Sequence, residues 1–395
     1  MNTKSRENRF EKYYLILSTH LSPYSKVAYS AFVILIISLL MLAFLEVAAF
    51  GVISVFKSLN STPSVIRAGE YKNQSFLKEY FIYEDEPASV MEYSPYIDYI
   101  RRPNISGKYI NTNHDSLRFT FNPCSNNNSI KIFFFGGSTA WGHGVPDNFT
   151  LPSLLSRKLC EKGVSVNVTN FGESGYVNTQ SEIRLLLELR KGNVPHYAIF
   201  YDGINEALAA YHAGEAGVPY GIENRKLDFG LNKRFNLITP IFYQTSIGKI
   251  VLKVSKTLFG EKKKLYSEDR LASLSEEVSN VYFENLKTID ILSKGYGFKS
   301  LYFWQPVLFT KEKKSQEELD FLLNREELKP FFQAVYNKVV THPRRYSFKF
   351  YDLKDAFSNT SDTTYIDLYH LNKIGNEIIA DLIATAVYNE LKNNE

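Results

Sequence analysis

The spacing of apolar and polar residues changes along this 395-residue chain. Residues 27–56 form one almost continuous apolar run in which Glu46 is the only charged residue. A helix needs about 20 apolar residues to cross a bilayer, so this run is long enough for one transmembrane helix. From residue 129 onward, short apolar runs alternate with stretches in which apolar residues recur every three or four positions. That pattern is typical of strands that alternate with helices.

The alternation predicts a series of strands and helices in the second part of the chain. The predicted strands are 130–135, 164–168, 197–201, 300–304 and 349–353. The predicted helices are 151–162, 179–190, 271–292, further helices within 315–341, and 373–391. Strands connected by helices form parallel sheets with right-handed crossovers. We therefore predict an α/β fold, a three-layer αβα sandwich around a central parallel sheet, preceded by one transmembrane helix.

The same patterns divide the chain into four segments. Residues 1–26 are polar and rich in lysine and arginine, and residues 27–56 are the predicted transmembrane helix. Residues 57–128 contain tyrosine, proline and polar residues without sustained periodicity, so we predict a stalk or cap. Residues 129–395 form the predicted α/β domain, with an insertion at about 207–265 where the alternation stops.

The apolar run could be an uncleaved anchor or a cleaved signal peptide. Val47-Ala48-Ala49 offers a small-residue cleavage site, but the long polar segment before the run disfavours cleavage. Lysine and arginine are more frequent before the run than after it, which predicts a cytoplasmic N-terminus and a periplasmic or extracellular α/β domain. Cys124 and Cys160 would then lie in an oxidising compartment, where they could pair or remain free.

Composition and charge narrow the functional classes. A net charge of +4 on this length is too small to indicate nucleic-acid binding. A hydrophobic content of 44% suits a globular protein and not a disordered one. No group of cysteine and histidine residues has the spacing of a zinc site, so we expect neither a metal nor a cofactor. The pattern does not indicate an oligomeric state.

Four short motifs occur at predicted strand ends or before the last helix. Gly136-Gly137-Ser138 follows the first strand, Gly172-Glu173-Ser174-Gly175 the second, and Asp202-Gly203-Ile204-Asn205 the third. Asp367-Leu368-Tyr369-His370 precedes the last helix. Each motif alone is a common turn or helix cap. Because ligands of parallel α/β sheets bind beyond the carboxyl ends of the strands, we expect all four motifs at one rim of the sheet.

In this order the motifs resemble those of the SGNH hydrolases, also called GDSL-type lipases and esterases. FFFGGSTA resembles the serine block, NFGESG the glycine block, YDGINE the Gly-x-Asn block and DLYH the Asp-x-x-His block. The resemblance covers about residues 130–392. Two residues depart from the family pattern. Gly137 stands where an Asp usually precedes the serine, and Glu206 stands where an Asp often follows the asparagine.

These residue types in this order predict serine acyl-transfer chemistry. Ser138 would be the nucleophile, His370 the base that removes its proton, and Asp367 the carboxylate that orients the imidazole. The resemblance implies an oxyanion hole made of three donors. They are the backbone N–H groups of Ser138 and Gly175 and the side-chain amide of Asn205.

Two other interpretations have weaker support in the sequence. His143 lies close to Ser138 and could line the pocket, but we expect it to lack a nearby carboxylate partner. Gly136-x-Ser138-x-Ala140 also resembles the nucleophile elbow of α/β-hydrolases. That fold normally has several strands before the nucleophile and separates the acid from the histidine. In this chain one strand precedes Ser138, and Asp367 and His370 share a turn.

The sequence therefore predicts a membrane-anchored serine esterase that acts outside the cytoplasm. The resemblance and the predicted location favour O-acyl esters, O-acetyl esters above all, on a carbohydrate or cell-envelope glycan. A lipid esterase and an O-acetyltransferase with the same triad are the alternatives within the enzymes. A non-catalytic glycan-binding or assembly factor on the same fold is the alternative from another class, and the intact triad disfavours it.

Overall fold

The computed structural model describes residues 23–59, 79–85, 88–223, 225–226, 242, 244–258, 266–323 and 325–393. Contacts divide the chain into two units. One unit comprises residues 1–61 and 228–263, and the other comprises residues 62–227 and 264–395. Residues 1–22 of the predicted cytoplasmic segment and residues 60–78 of the predicted stalk lie outside the described residues.

The larger unit is built on a parallel sheet. Its described strands are β1 (Met91–Ser94), β2 (Asp98–Arg101), β3 (Ile130–Gly136), β4 (Val166–Asn170), β5 (Tyr197–Asp202), β6 (Lys299–Trp304) and β7 (Phe350–Asp352). Strands β3 to β7 form one five-stranded sheet in the order β4-β3-β5-β6-β7, and every neighbouring pair is parallel. The predicted parallel sheet is confirmed, and β4 begins two residues later than expected, at Val166.

Helices flank this sheet. The described helices of the whole chain are α1 (Pro23–Leu59), α2 (Ser138–Trp141), α3 (Leu151–Glu161), α4 (Asn178–Arg190), α5 (Ile204–Ala213), α6 (Ser246–Leu258), α7 (Glu268–Tyr296), α8 (Gln316–Leu322), α9 (Lys329–Thr341) and α10 (Lys373–Lys392). Helices α3 and α10 pack against each other beside β4, whereas α4, α5, α7 and α9 form a second group. The arrangement is the predicted three-layer α/β fold.

Local sequence signals explain where the helices begin. The Ser267 side chain accepts a hydrogen bond from the Arg270 N–H at the start of α7, and Ser315 caps α8 in the same way. Asn372 accepts from the Gly375 N–H and starts α10 two residues after His370. Such caps satisfy backbone N–H groups that have no partner within the helix. The cap at Asn372 thus ends the Asp367–His370 loop at a defined point.

Residues before the sheet are more ordered than the sequence pattern indicates. Strands β1 and β2 form an antiparallel hairpin, and Glu79–Asp85 forms a short π-helix. A small second core joins this region to the α/β domain. Its buried side chains are Tyr80, Phe81, Ala88, Ile110, Trp141 and Ile366. This region therefore packs directly on α2, the short helix that begins at Ser138.

The smaller unit contains the apolar N-terminal helix. Within α1, Lys26–Phe56 is long and apolar enough to cross a membrane by length and composition, a test that a signal sequence also passes. Helix α6 packs against α1. The Glu46 carboxylate accepts hydrogen bonds from the backbone N–H groups of Ser246 and Ile247. The single charge of the apolar run thus caps the start of α6, where a negative charge is favourable.

Candidate active site

Ser138 lies at the carboxyl edge of the sheet. It is the first residue of α2 and follows β3 after Gly137. Helix α2 ends at Gly142, whose left-handed backbone turns the chain away after one turn of helix. The Ser138 Oγ is 2.7 Å from His370 Nε2, although 232 residues separate the two in sequence. The imidazole is therefore placed to remove the hydroxyl proton.

Asp367 completes a chain of three hydrogen-bonded side chains. Its Oδ2 is 2.7 Å from His370 Nδ1, and its Oδ1 accepts from the backbone N–H groups of Tyr369 and His370, each at 2.7 Å. Burial acts to raise the pKa of Asp367, but the His370 charge and these hydrogen bonds outweigh it and lower the pKa to about 2. Asp367 is therefore ionised at neutral pH and can stabilise an imidazolium.

A buried ion pair holds the loop that carries Asp367 and His370. Lys311 Nζ lies 2.6 Å from Glu318 Oε2, and both side chains are fully buried. Lys311 also donates to the Asp362 carbonyl at 2.6 Å, and Glu318 accepts from the Thr364 N–H at 2.9 Å. Beyond these contacts, the Ile366 N–H donates to the His370 carbonyl at 2.9 Å. Asp367 and His370 thus lie on a loop whose backbone is hydrogen-bonded to a buried ion pair.

Three candidate oxyanion donors face the same pocket. Asn205 lies in the first turn of α5, and its Nδ2 donates one hydrogen to the Tyr176 carbonyl at 2.8 Å, which leaves a second for a ligand. Gly175 has a left-handed backbone, with φ +77, and a Cβ there would lie 2.8 Å from the Tyr99 hydroxyl. The pocket is lined by Ser138, Gly175, Asn205 and His370, among others. All five sequence-predicted site residues are brought together, while their catalytic roles remain predictions.

The structure explains both departures from the family pattern. A Cβ at residue 137 would lie well inside 3.0 Å of Asn205 Nδ2, so the glycine makes room for the Asn205 amide. Glu206 accepts hydrogen bonds from the Gly203 N–H at 2.7 Å and the Asn178 N–H at 2.6 Å. It thereby fixes the start of α5, where Asn205 lies. Both residues support the position of the same amide.

We expect Gly137→Ala to lower kcat/KM for an ester substrate by about 10²-fold or more. The added methyl group displaces the Asn205 amide, and loss of one oxyanion donor costs about 10²–10³-fold. Gly295→Ala is the matched control, because a Cβ at residue 295 of α7 meets no atom within 4 Å. Hydrolysis rates of the purified variants test this. Wild-type activity in Gly137→Ala would show that the amide has no such role.

The hairpin before the sheet supports the glycine motif, and sequence reasoning missed this. Arg101 of β2 forms a buried ion pair with Glu173 at 3.0 Å and also donates to Ser174 Oγ at 2.7 Å. The Tyr99 hydroxyl donates to the Ser174 carbonyl at 2.7 Å. Through these contacts, side chains of β2 fix the two residues that precede Gly175, Glu173 and Ser174. The signal in the sequence was the charge of Arg101 directly after Tyr99 and Ile100.

His143 has a carboxylate partner, contrary to the expectation from the sequence. Its Nδ1 lies 3.5 Å from Asp85 Oδ1, across a separation that no local spacing reveals. The two rings of His143 and His370 have centroids 4.4 Å apart. His143 also borders the pocket. The pocket is therefore bordered by two histidines, each with its own aspartate.

Two further observations concern a possible metal site and the pairing of the two cysteines. In the described part of the chain, no cluster of three or more His, Cys, Asp or Glu side chains could hold a metal ion. Cys124 and Cys160 form a disulfide with Cα atoms 5.6 Å apart. It joins the loop before β3 to the end of α3. The pairing that the sequence left open is therefore present.

Comparison with known proteins gives matches among solved structures alone. No protein-family model and no curated protein matches this sequence. A lipase/acylhydrolase from Enterococcus faecalis matches at 15% identity and a TM-score of 0.38, covering 66% of this chain and 96% of that one. An acetyl xylan esterase matches at 14% identity and 0.33, covering 65% and 100%. A variant of an acetyl-xylooligosaccharide esterase from Geobacillus matches at 13% and 0.38, covering 67% and 95%.

Proposed function

We propose that this protein is a serine ester hydrolase of the SGNH type. The observation that carries the proposal is the continuous chain Ser138 Oγ–His370 Nε2 and His370 Nδ1–Asp367 Oδ2, with both contacts at 2.7 Å. Ser138 and His370 border a pocket of about 630 Å³, which Gly175 and Asn205 also line. Nucleophile, base, orienting carboxylate and oxyanion donors are the complete set that acyl transfer from an ester requires.

The reaction follows from these contacts. Ser138 Oγ attacks the ester carbonyl carbon while His370 Nε2 takes the hydroxyl proton, and Asp367 stabilises the resulting imidazolium. His370 then gives that proton to the alcohol oxygen as the ester C–O bond breaks, which leaves an acyl group on Ser138. Water attacks the acyl group, again with proton transfer to His370. The carboxylic acid leaves and Ser138 recovers its proton.

The negative charge of each tetrahedral intermediate needs donors that are already in place. The N–H groups of Ser138 and Gly175 donate to no acceptor in the described part of the chain. Asn205 Nδ2 is held by the Tyr176 carbonyl and keeps one hydrogen available. Donors fixed in this way need no rearrangement when charge develops, which is why they lower the barrier strongly.

We infer O-acyl esters on a carbohydrate as the substrate class. The pocket is much larger than an acetyl group and is lined by the aromatic side chains Tyr99, Tyr220 and Tyr369. Asp98 and Arg225 form an ion pair at its border. Aromatic faces suit the C–H surface of a sugar ring, and ionised side chains suit its hydroxyl groups. O-acetyl esters on a cell-envelope glycan fit this lining.

A lipid ester is the second candidate, on a separate observation. Met91, Ile204 and Leu208 also line the pocket and offer an apolar surface to an acyl chain. Transfer of the acyl group to a sugar hydroxyl is the variant of the mechanism in which the acceptor replaces water. A non-catalytic binding role would leave the Ser138–His370–Asp367 chain without a purpose.

We further infer that the enzyme is anchored to a membrane and works outside the cytoplasm. The length and apolar composition of Lys26–Phe56 support an anchor. The Cys124–Cys160 disulfide supports an oxidising compartment. A reporter fused after residue 60 tests the orientation, and reporter activity confined to the cytoplasm would contradict it.

A comparison of substrates tests the proposed function. The full-length protein in detergent is assayed with p-nitrophenyl acetate, an acetylated xylo-oligosaccharide and a glycerolipid with long acyl chains. We expect the highest kcat/KM with the acetylated oligosaccharide. Preference for the glycerolipid would favour the lipid esterase, and acetyl transfer to an added sugar would favour the transferase. No turnover of any ester would contradict the proposal.

A further inference from the structure

His143 is held directly against the catalytic centre. Its backbone N–H donates to the Ser138 carbonyl at 3.0 Å, so the turn that follows the nucleophile fixes it. Its ring lies 4.4 Å from the His370 ring between centroids and is inclined by 51°. The Phe81 ring packs against it at 5.6 Å. An imidazole in this position interacts electrostatically with His370 whenever either ring is charged.

Asp85 gives His143 the environment of a protonated histidine. The Asp85 and His143 side chains are 13% and 25% exposed, with 3.5 Å between Oδ1 and Nδ1. Burial acts to lower the pKa of His143, but the contact with Asp85, its charge and that of Asp367 outweigh this and raise the pKa. Arg101 acts in the opposite direction.

The pKa of the Asp85 carboxyl is shifted in the direction that favours the same ion pair. Burial acts to raise the pKa of Asp85, but the contact with His143 and the charges of His143, Arg101 and Arg118 lower the pKa. Both partners therefore shift toward the ionised pair. A histidine that only filled space beside Phe81 would not need this buried carboxylate.

We propose that His143 and Asp85 form a second Asp–His pair whose charge tunes His370 as the catalytic base. This inference rests on the proposed esterase function. His143 acts through His370 and does not contact the reacting atoms, so it is a positioning residue. Asp85 favours the imidazolium form of His143. The positive charge of His143 then lies beside the His370 ring and repels a second positive charge there.

The sign and size of the effect follow from the geometry. Without the His143 charge this repulsion is lost, so we expect activity to fall at a higher pH. Two unit charges 4.4 Å apart in a water-like dielectric interact by an amount equivalent to about 0.7 pH unit, and more where water is excluded.

The pH profile of kcat/KM tests the proposal with full-length wild type and His143→Gln. We expect the midpoint of the acid limb to lie about 0.7 pH unit higher in the variant. His114→Gln is the matched control, because His114 Nε2 also has an aspartate at 3.2 Å, but this pair is solvent-exposed. It should leave the midpoint unchanged. An acid limb of His143→Gln at the wild-type midpoint, or at a lower pH, would overturn the proposal.

A second measurement does not depend on catalysis. Imidazole resonances of the full-length protein are titrated by NMR in wild type and Asp85→Asn. We expect the titration midpoint of His143 to fall in Asp85→Asn, because its stabilising carboxylate charge is lost, and an unchanged midpoint would overturn the pair. Failure of the esterase itself has a different signature. Wild type would then hydrolyse esters no faster than Ser138→Ala, while the NMR titrations would still report the two pairs.

Discussion

Ser138→Ala is expected to lower kcat for ester hydrolysis by about 10⁶-fold while leaving the fold intact. The Oγ that attacks the carbonyl carbon is lost, and the remaining pocket can only bind the ester and polarise its carbonyl group. Steady-state hydrolysis of p-nitrophenyl acetate measures the effect. His370→Ala should show a loss of similar size, because the hydroxyl without its base is a weak nucleophile.

Residues that act as one unit have effects that do not add. The double variant Ser138→Ala/His370→Ala is therefore expected to be no less active than either single variant. Ser347→Ala is the matched control, because Ser347 is exposed and does not border the pocket. Equal activity of wild type and Ser138→Ala would show that the serine is not the nucleophile, even though its Oγ lies 2.7 Å from His370.

Lys311→Met is expected to lower the free energy of unfolding by about 3–5 kcal/mol, the cost of leaving one member of a buried ion pair without its partner. The Glu318 carboxylate would remain fully buried with its counter-charge gone. Urea unfolding followed by tryptophan fluorescence measures the change. Trp141 and Trp304, the two tryptophans of the chain, are both buried in the larger unit and report on its unfolding.

A surface ion pair provides the comparison. Lys294 lies 2.6 Å from Asp290 on α7, but its side chain is 75% exposed. Lys294→Met should change stability by less than about 0.5 kcal/mol. The double variant Lys311→Met/Glu318→Leu should recover part of the loss, since no unpaired charge stays buried. Similar losses for Lys311→Met and Lys294→Met would contradict the assignment.

The Lys311→Met substitution should also reduce ester hydrolysis. Lys311 donates to the Asp362 carbonyl, and Glu318 accepts from the Thr364 N–H, a few residues before Asp367. If the loop moves, the 2.7 Å contacts of His370 are lost. Stability and catalysis are thus coupled through one buried pair.

Parallel strands were predictable because they are buried on both faces. Phe133, Phe134 and Phe135 of β3 are at most 1% exposed, and residues 132–135 of this strand form an unbroken apolar run. The edge strand β4 alternates between buried and more exposed residues. Val164 and Ser165 precede it without regular secondary structure, after a turn that ends at the left-handed Gly163, so the predicted start was two residues early.

The hairpin of β1 and β2 could not be predicted in the same way. Strands β1 and β2 have four residues each, and β1 exposes Tyr93 whereas the residues of β2 are half-buried or buried, so neither a period of two nor an apolar run marks them. Their role depends on Arg101 meeting Glu173, a contact between distant parts of the chain. The carboxylate partner of His143 could not be predicted for the same reason, because Asp85 is distant from it in sequence and close to it only in the folded structure.

The sequence by itself determined the fold class and the set of chemically competent residues. Burial imposes apolar periodicity, and the carboxyl ends of parallel strands place Ser138, Gly175 and Asn205 on one rim. Only the tertiary structure decided the distances between them, the pairing of Cys124 with Cys160, and the second Asp–His pair. Those depend on contacts between residues far apart in the chain, and such contacts leave no local pattern to detect.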